Sequence, residues 1–174
     1  HAGFIAKEDI PRFAELNAVA DLSPYLWFPS PIIDSVRKAL GARGFEYWPT
    51  RDLLKSGAPL LAGSDWPSVS QDLNPWVGLE AMVTRQDPAP ATEGNIVKGH
   101  GWIDQRLTVR EAIKIYTIDG ARALGLHEQT GSLVTGKSAD FIILNHNLLE
   151  IPAEKINDTE VQMTYFEGRL VYEK

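Results

Sequence analysis

The sequence predicts an α/β fold followed by a shorter β-rich segment, and three observations support this. Residues 50–65 run from a helix pattern through glycine and a continuous apolar strand to polar residues. A capped helix pattern opens near Leu107, and from about residue 130 the apolar spacing changes to the two-residue period of β-strands. Because chemistry in α/β units collects where strands end, we expect a functional site after the strand that precedes Asp65.

The first elements alternate between helix and strand. Asp9-Ile10-Pro11 predicts a helix start, because proline in the first turn loses no intrahelical hydrogen bond. Residues 18–23 predict a short buried strand, and residues 29–44 a loop with a helix. Together they precede the central helix–strand unit.

The central unit is the clearest α/β signal. Residues 50–57 predict a helix with Thr50 as its N-cap and Gly57 as its left-handed stop. Residues 58–63 form an apolar run of the kind buried on both faces of a parallel sheet. Residues 67–105 then predict a long functional loop with one helix over residues 75–85.

The last third begins with a helix and ends in strands. Thr108 and Glu111 form a predicted capping box, and the helix runs to Leu124 with a break near Asp119-Gly120. Strands are predicted over residues 132–134 and 139–144, and a hairpin over 161–166 and 169–172 around Glu167-Gly168.

Composition excludes several classes of protein. The 174 residues carry a formal net charge of −6 and no cysteine, which excludes a disulfide scaffold and thiolate chemistry. An acidic chain with scattered Lys and Arg is not expected to bind nucleic acid. No apolar run has the length of a membrane span, so we expect a cytoplasmic protein. His1-Ala2-Gly3 lacks an initiator methionine, which predicts a start inside a longer protein.

Five stretches, in this order and spacing, resemble the C-terminal half of the amidohydrolase superfamily, in the branch of YtcJ-like and N-substituted formamide deformylase-like hydrolases. They are His1-Ala2-Gly3, Arg12-Phe13-Ala14-Glu15-Leu16, Leu60-Leu61-Ala62-Gly63-Ser64-Asp65-Trp66-Pro67, the segment 107–125, and Gly131-Ser132-Leu133-Val134-Thr135-Gly136-Lys137-Ser138-Ala139-Asp140-Phe141. Each stretch alone is weak, and the combination is specific.

The resemblance implies the C-terminal portion of a (β/α)8 barrel followed by part of a small composite β-sandwich. Residues 1–125 would run from the end of barrel strand 6 to helix 8, and residues 126–174 would be the C-terminal strands of the sandwich. Strands 7 and 8 would lie at residues 18–23 and 60–65. The family's other metal ligands would lie upstream of this chain, so we expect the chain alone to be inactive.

The resemblance also implies a chemistry. A divalent metal, most often zinc, would activate water against a non-peptide C–N bond of a small amide or formamide. Asp65 matches the catalytic aspartate that touches the metal and shuttles a proton, and His1 matches a metal ligand. Asp65 would otherwise cap the turn before Pro67, and a lone N-terminal histidine is also a common tag remnant.

Other side chains near these motifs have weaker assignments. Trp66, Trp76 and Trp102 flank the strand-8 loop and would line an apolar substrate pocket or simply pack. The remaining histidines and three aspartates are expected to be exposed loop, turn or cap residues: His100, His127, His146, Asp72, Asp104 and Asp119.

Two alternatives to an amide hydrolase stay open. One is a non-catalytic regulatory or binding module that keeps the barrel-derived shape, and the other is a hydrolase of a lactone or phosphoester. In a chain that holds only part of the barrel, strands 7 and 8 would leave open edges, so we expect it to associate with a second copy of itself or to have rearranged locally.

Overall fold

The computed structural model describes residues 1–27, 30–68, 73–88 and 102–174, which form mixed helix and sheet. The elements in chain order are α1 (Ile10–Glu15), β1 (Ala20–Leu22), α2 (Pro31–Leu40), α3 (Thr50–Ser56), β2 (Leu60–Ala62), α4 (Pro75–Thr84), α5 (Val109–Lys114), α6 (Gly120–Ala123), β3 (Phe141–Leu144), β4 (Val161–Phe166) and β5 (Arg169–Glu173). A π-helical turn joins α5 to α6 without a break. None of the described helices is both long and apolar enough to cross a bilayer.

Strands β1 and β2 form a parallel pair. Leu22 lies opposite Ala62, and Ala20 lies opposite Leu60. The chain between them passes through α2 and α3, which is the crossover that two adjacent parallel strands require. Because both strands run in the same direction, their carboxyl ends meet at one edge of the sheet.

The core lies where β1 and β2 pack against the helices. Burying apolar side chains there stabilises the fold by about 25 cal/mol for each Å² removed from water. The largest side chains of this core, each at most 1% exposed, are Leu22, Trp27, Ile33, Tyr47, Leu53, Met82, Ile115 and Ile156.

A second sheet of three antiparallel strands, in the order β3-β4-β5, lies in the last third of the chain. The predicted hairpin is confirmed. Its turn residues Glu167 and Gly168 have φ values of 51° and 74°, as tight hairpins with two left-handed central residues require. Every residue of β5 is exposed.

The strand predicted over residues 132–134 is wrong. Gly131 and Gly136 have positive φ values of 85° and 95°, and the segment between them is bent. The N–H of Val134 donates to the carbonyl of Ser132 at 3.2 Å, so a local turn replaces pairing with another strand.

The N-cap predicted at Thr50 is also wrong, because Pro49 occupies the cap position of α3. The Thr50 hydroxyl instead donates to the carbonyl of Gln105 at 2.8 Å and accepts from Arg85 at 2.7 Å. Its contacts are distant in sequence, which local helix signals do not reveal. The left-handed stop at Gly57 is confirmed, with a φ of 83°.

The predicted capping box of α5 is present and is extended by an arginine from α3. Glu111 accepts from the Thr108 N–H at 2.7 Å, and Thr108 Oγ1 accepts from the Glu111 N–H at 3.3 Å. Arg51 donates to Glu111 Oε1 at 2.6 Å and to the carbonyl of Arg106. Burial raises the pKa of the Glu111 carboxyl, but the hydrogen bonds from Arg51 and Thr108 outweigh it and leave the pKa below its ordinary value.

We predict that Glu111→Gln lowers the free energy of unfolding by about 1 kcal/mol at pH 7, because the cap and the ion pair are weakened. A lowered pKa in the folded state gives stability that is present above the unfolded pKa of about 4.3 and is lost as pH falls through the folded value. Urea unfolding of both proteins at several pH values should therefore show the difference shrinking below about pH 4. Glu15→Gln, at an exposed site, is the control. An unchanged difference at acid pH would contradict the assignment.

A buried carboxyl joins α4 to the 3₁₀ turn Ala153–Asp158. Glu80 is 4% exposed, and its Oε2 accepts from the N–H of Asn157 at 2.7 Å. Burial raises the pKa of Glu80 more than this hydrogen bond lowers it. Glu80 is therefore more readily protonated in the folded protein than in the unfolded chain.

A raised carboxyl pKa makes the folded state bind more protons, so this group's contribution to stability falls as pH rises above about 4.3. Glu80→Gln keeps the acceptor oxygen for Asn157 and removes the ionisation. We predict that the variant is at least as stable as the unsubstituted protein at pH 7 and loses less stability between pH 4 and pH 7. Thermal melts across that range measure this, and an increased pH dependence would show the prediction to be wrong.

Candidate metal centre

The site lies at the carboxyl edge of the β1–β2 pair. Ser23 follows β1 directly, and the N–H of Gly63 donates to the carbonyl of Leu22 at 2.9 Å, which extends the pairing beyond β2. Asp65 lies three positions after Ala62, with a φ of 57° in the left-handed region. Its carbonyl accepts from the N–H of Ser68 at 2.8 Å, so the chain turns sharply there.

His1 lies between Ser23 and Asp65. Its Nδ1 is 2.7 Å from Ser23 Oγ, and its Nε2 is 3.7 Å from Asp65 Oδ2. The imidazole is 51% exposed and the Asp65 side chain 28% exposed, whereas Ser23 is 4% exposed. The two residues predicted from the sequence, His1 and Asp65, are therefore brought together, and about half of the imidazole stays exposed to solvent.

The segment that follows His1 is held against an aromatic cluster formed by Phe4, Tyr47 and Trp48. The carbonyl of Gly3 accepts from the Trp48 N–H at 2.8 Å, and the Trp48 indole lies under Gly3. The rings of Tyr47 and Trp48 meet edge to face at 5.1 Å, and Phe4 lies 6.0 Å from Trp48. These contacts fix the backbone from which His1 extends.

A buried arginine, Arg85, contacts this aromatic cluster. Its guanidinium is fully buried, donates to the carbonyl of Trp48 at 2.6 Å, and lies 4.4 Å from the ring centre of Trp27. Burial lowers the pKa of Arg85 to about 9. Among the described residues no carboxylate pairs with it. Nη1 and Nη2 donate to backbone carbonyls and to Thr50, and the guanidinium lies over an aromatic face, whereas the buried Nε–H has no hydrogen-bond partner among the described residues.

The donors at this edge fit zinc in kind. An imidazole nitrogen and a carboxylate oxygen are common zinc ligands, and zinc usually takes four. Within the parts of the chain that the structure describes, no three side chains of the His, Asp or Glu type lie close enough together to hold a metal. His1 and Asp65 therefore supply part of a ligand set.

The other histidines and aspartates lie apart from this edge or outside the described residues. His146 Nε2 lies 2.9 Å from Thr159 Oγ1, and His127 lies 3.1 Å from Glu128. Asp119 pairs with Lys114 and Arg122. Asp104 is exposed. His100 and Asp72 fall outside the described residues.

The three tryptophans differ in their surroundings. Trp66, directly after Asp65, is 54% exposed, whereas Trp76 is buried in α4. Trp76 lines an apolar cavity of about 330 Å³ together with Leu79 and Tyr116. Trp102 is partly buried.

Ser23 is the site residue that sequence reasoning missed. It was placed inside the predicted strand 18–23, although the strand ends at Leu22. The rule that singled out Asp65 also applies to Ser23, because both are polar residues that follow a buried parallel strand. Its contact with His1 spans 22 positions and has no local signature.

Comparisons with known proteins show the family of the chain. A family model described as the amidohydrolase family matches residues 1–172. The chain is 33% identical to Protein LONG AFTER FAR-RED 3 of Arabidopsis thaliana, over 99% of this chain and 28% of that protein. It is 30% identical to the putative amidohydrolase YtcJ of Bacillus subtilis, over 100% and 31%. It is 25% identical to N-substituted formamide deformylase of Arthrobacter pascens, over 94% and 28%. The chain thus spans about three-tenths of the length of these relatives.

Solved structures show the same fold. A metal-dependent hydrolase of Pyrococcus horikoshii OT3 superposes with a TM-score of 0.67 at 24% identity, over 88% of this chain and 29% of that one. An adenosine deaminase of Xanthomonas campestris with bound zinc gives 0.65 at 18% identity, over 98% and 35%. The prediction of an α/β fold forming part of an amidohydrolase barrel is confirmed.

Proposed function

Since the chain belongs to the amidohydrolase family, we propose that it forms one side of the active site of a metal-dependent hydrolase that cleaves a non-peptide C–N bond. The convergence of His1 and Asp65 at the carboxyl edge of the β1–β2 pair carries this proposal. The substrate class is a small amide or formamide. One relative's name, N-substituted formamide deformylase, describes such a reaction, and others are named as deaminases.

Asp65 is assigned the role of proton carrier. Its carboxylate is 28% exposed, so a water molecule and a substrate can both reach it. It would take a proton from the attacking water and deliver it to the leaving nitrogen. The left-handed backbone at Asp65 and the hydrogen bond from the Ser68 N–H turn the chain directly after the strand end.

His1 is assigned the role of metal ligand through Nε2, with Asp65 as a second ligand. When bound, zinc would polarise the substrate carbonyl and lower the pKa of water. Two protein ligands do not hold a catalytic metal at ordinary affinity, so these 174 residues alone are expected to be inactive. The family match begins at residue 1, which supports a native His1 over a tag remnant.

Three tryptophans are assigned to the substrate pocket or its surroundings. Trp66 follows Asp65 and exposes half of its surface, so it is placed to contact the substrate beside the carboxylate. Trp76 lines its apolar cavity from α4 and supports the wall of the barrel. Trp102 stays a candidate pocket residue. We propose that residues 1–125 belong to the barrel and residues 126–174 to the β-sandwich.

We predict that Asp65→Asn in the full-length protein lowers turnover of N-substituted formamides by about 10²- to 10⁴-fold, because the amide cannot accept the proton. Asparagine tolerates a left-handed backbone, so the melting temperature should stay within a few degrees of the unsubstituted value. Steady-state kinetics, thermal melts and zinc per chain measure these effects. Asp104→Asn, at an exposed position, is the matched control.

Turnover near the unsubstituted level would remove Asp65 from the mechanism. A full-length protein that binds no metal and turns over no member of an amide, lactone and phosphoester panel would favour a non-catalytic binding module instead. Turnover of lactones or phosphoesters alone would keep the site and change the bond.

We also propose that the chain associates with a second copy of itself through the open edges of its short parallel sheet. Among the described residues β1 and β2 pair only with each other. Leu61 and Ala62 also line an apolar groove of about 810 Å³ with Leu124, Leu126 and Phe141. Unpaired edges beside an apolar surface favour pairing with another strand.

We predict that light scattering detects dimers or larger species as the concentration of the 174-residue chain rises. Leu61→Lys should weaken this association, because a charge in the groove opposes burial. Val134→Lys, at an exposed turn residue, is the control. A 174-residue chain that stays monomeric at all concentrations would contradict the proposal.

A further inference from the structure

The contact between Ser23 and His1 fixes one side of the imidazole while leaving the other side free. Ser23 Oγ lies 2.7 Å from Nδ1, and Asp65 Oδ2 lies 3.7 Å from Nε2 on the opposite side of the ring. Ser23 is 4% exposed, so the hydroxyl meets little competing water. The ring is thus oriented by a buried partner toward an open carboxylate.

Backbone hydrogen bonds flank Ser23 on both sides. On one side, the Leu22 carbonyl accepts from the N–H of Gly63 at 2.9 Å, which ties the residue to β2. On the other side, the Ser23 carbonyl accepts from the N–H of Leu26 at 3.0 Å, in the 3₁₀ turn that begins at Pro24. These hydrogen bonds place the Ser23 backbone at the carboxyl end of β1.

A hydroxyl suits a ring that must exchange tautomers. A neutral imidazole has one N–H donor and one acceptor nitrogen, and a serine hydroxyl can either donate or accept. With the proton on Nε2, the ring faces Asp65 with an N–H and accepts from Ser23. With the proton on Nδ1, the ring donates to Ser23 and turns an Nε2 lone pair toward Asp65. A carbonyl or carboxylate in place of Ser23 would permit only the second state.

We propose that Ser23 is a positioning residue that keeps His1 in one orientation in both tautomers, so that Nε2 can serve as a metal ligand without the ring turning. This inference rests on the proposed function for its metal-bound state. It assigns to Ser23 a role in the reaction that acts through His1. The metal-free tautomer, with Nε2–H facing the Asp65 carboxylate, is a property of the chain's own residues.

The test combines nitrogen NMR of the His1 ring with zinc titration of the full-length protein. In metal-free protein, we expect Nε2–H with Nδ1 accepting a hydrogen bond, and after zinc addition we expect Nδ1–H. Ser23→Ala should weaken zinc binding by about 10- to 100-fold, the usual effect of removing a group that orients a metal-binding histidine. Ser23→Thr keeps the hydroxyl and should restore affinity to within about threefold of the unsubstituted value.

The control is Ser35→Ala, which removes an exposed hydroxyl that, among the described residues, donates to the Pro31 carbonyl in α2. It should leave zinc affinity and the His1 signals unchanged. Zinc binding by Ser23→Ala at the unsubstituted affinity would overturn the inference. So would a metal-free His1 ring that averages both tautomers like free histidine, or a ring whose signals do not respond to zinc.

Variants that fail to fold leave the measurement on the unsubstituted protein decisive, because the two tautomers are read from it directly. The outcome is also separable from that of the proposed function. Unchanged turnover in Asp65→Asn would contradict the catalytic role of Asp65. The tautomer of His1 in metal-free protein would still test the role of Ser23. An averaged His1 ring would sink the role of Ser23 while turnover stood.

Discussion

The parallel pairing of β1 with β2 is the constraint on which the candidate site depends. Leu22 lies opposite Ala62, so the residues that follow each strand leave the sheet side by side. A slip by one residue would displace one strand end by about 3.3 Å and turn its side chains to the opposite face. Burial of Leu22 on β1 and of Leu60 on β2 opposes this slip, because a slip of either strand would carry its own leucine out of the core. The 2.7 Å contact of Ser23 with His1 and the approach of Asp65 both follow from this register.

A second layer of support comes from a buried cation. Taking a guanidinium out of water costs several kcal/mol unless hydrogen bonds replace its hydration. Arg85 recovers part of these bonds from the Trp48 carbonyl and Thr50, and it lies over the face of Trp27. The backbone N–H of Trp48 in turn donates to the carbonyl of Gly3. Trp48 thus contacts both the buried cation and the backbone that follows His1, which links core stability to the geometry at the edge of the sheet.

Local patterns in the sequence predicted most of the elements, and contacts distant in sequence account for the errors. The apolar run before Asp65, the stop at Gly57 and the box at Thr108 each depend on residues within a few positions of one another, and each is present. Thr50 was predicted to cap its own helix, yet it bonds to Gln105, 55 positions away. Family resemblance singled out His1 and Asp65, and the structure brings them together. Ser23 required the three-dimensional arrangement, since no periodicity relates it to His1.

The left-handed backbone at Asp65 lowers the stability of the folded state. A side chain at a φ of 57° costs about 1 kcal/mol relative to glycine, although aspartate and asparagine tolerate it better than most residues. Selection for stability alone would therefore place glycine at this turn. Under the proposed function, the folding energy given up at this turn directs the carboxylate, and stabilising the protein through this residue would remove the group it presents.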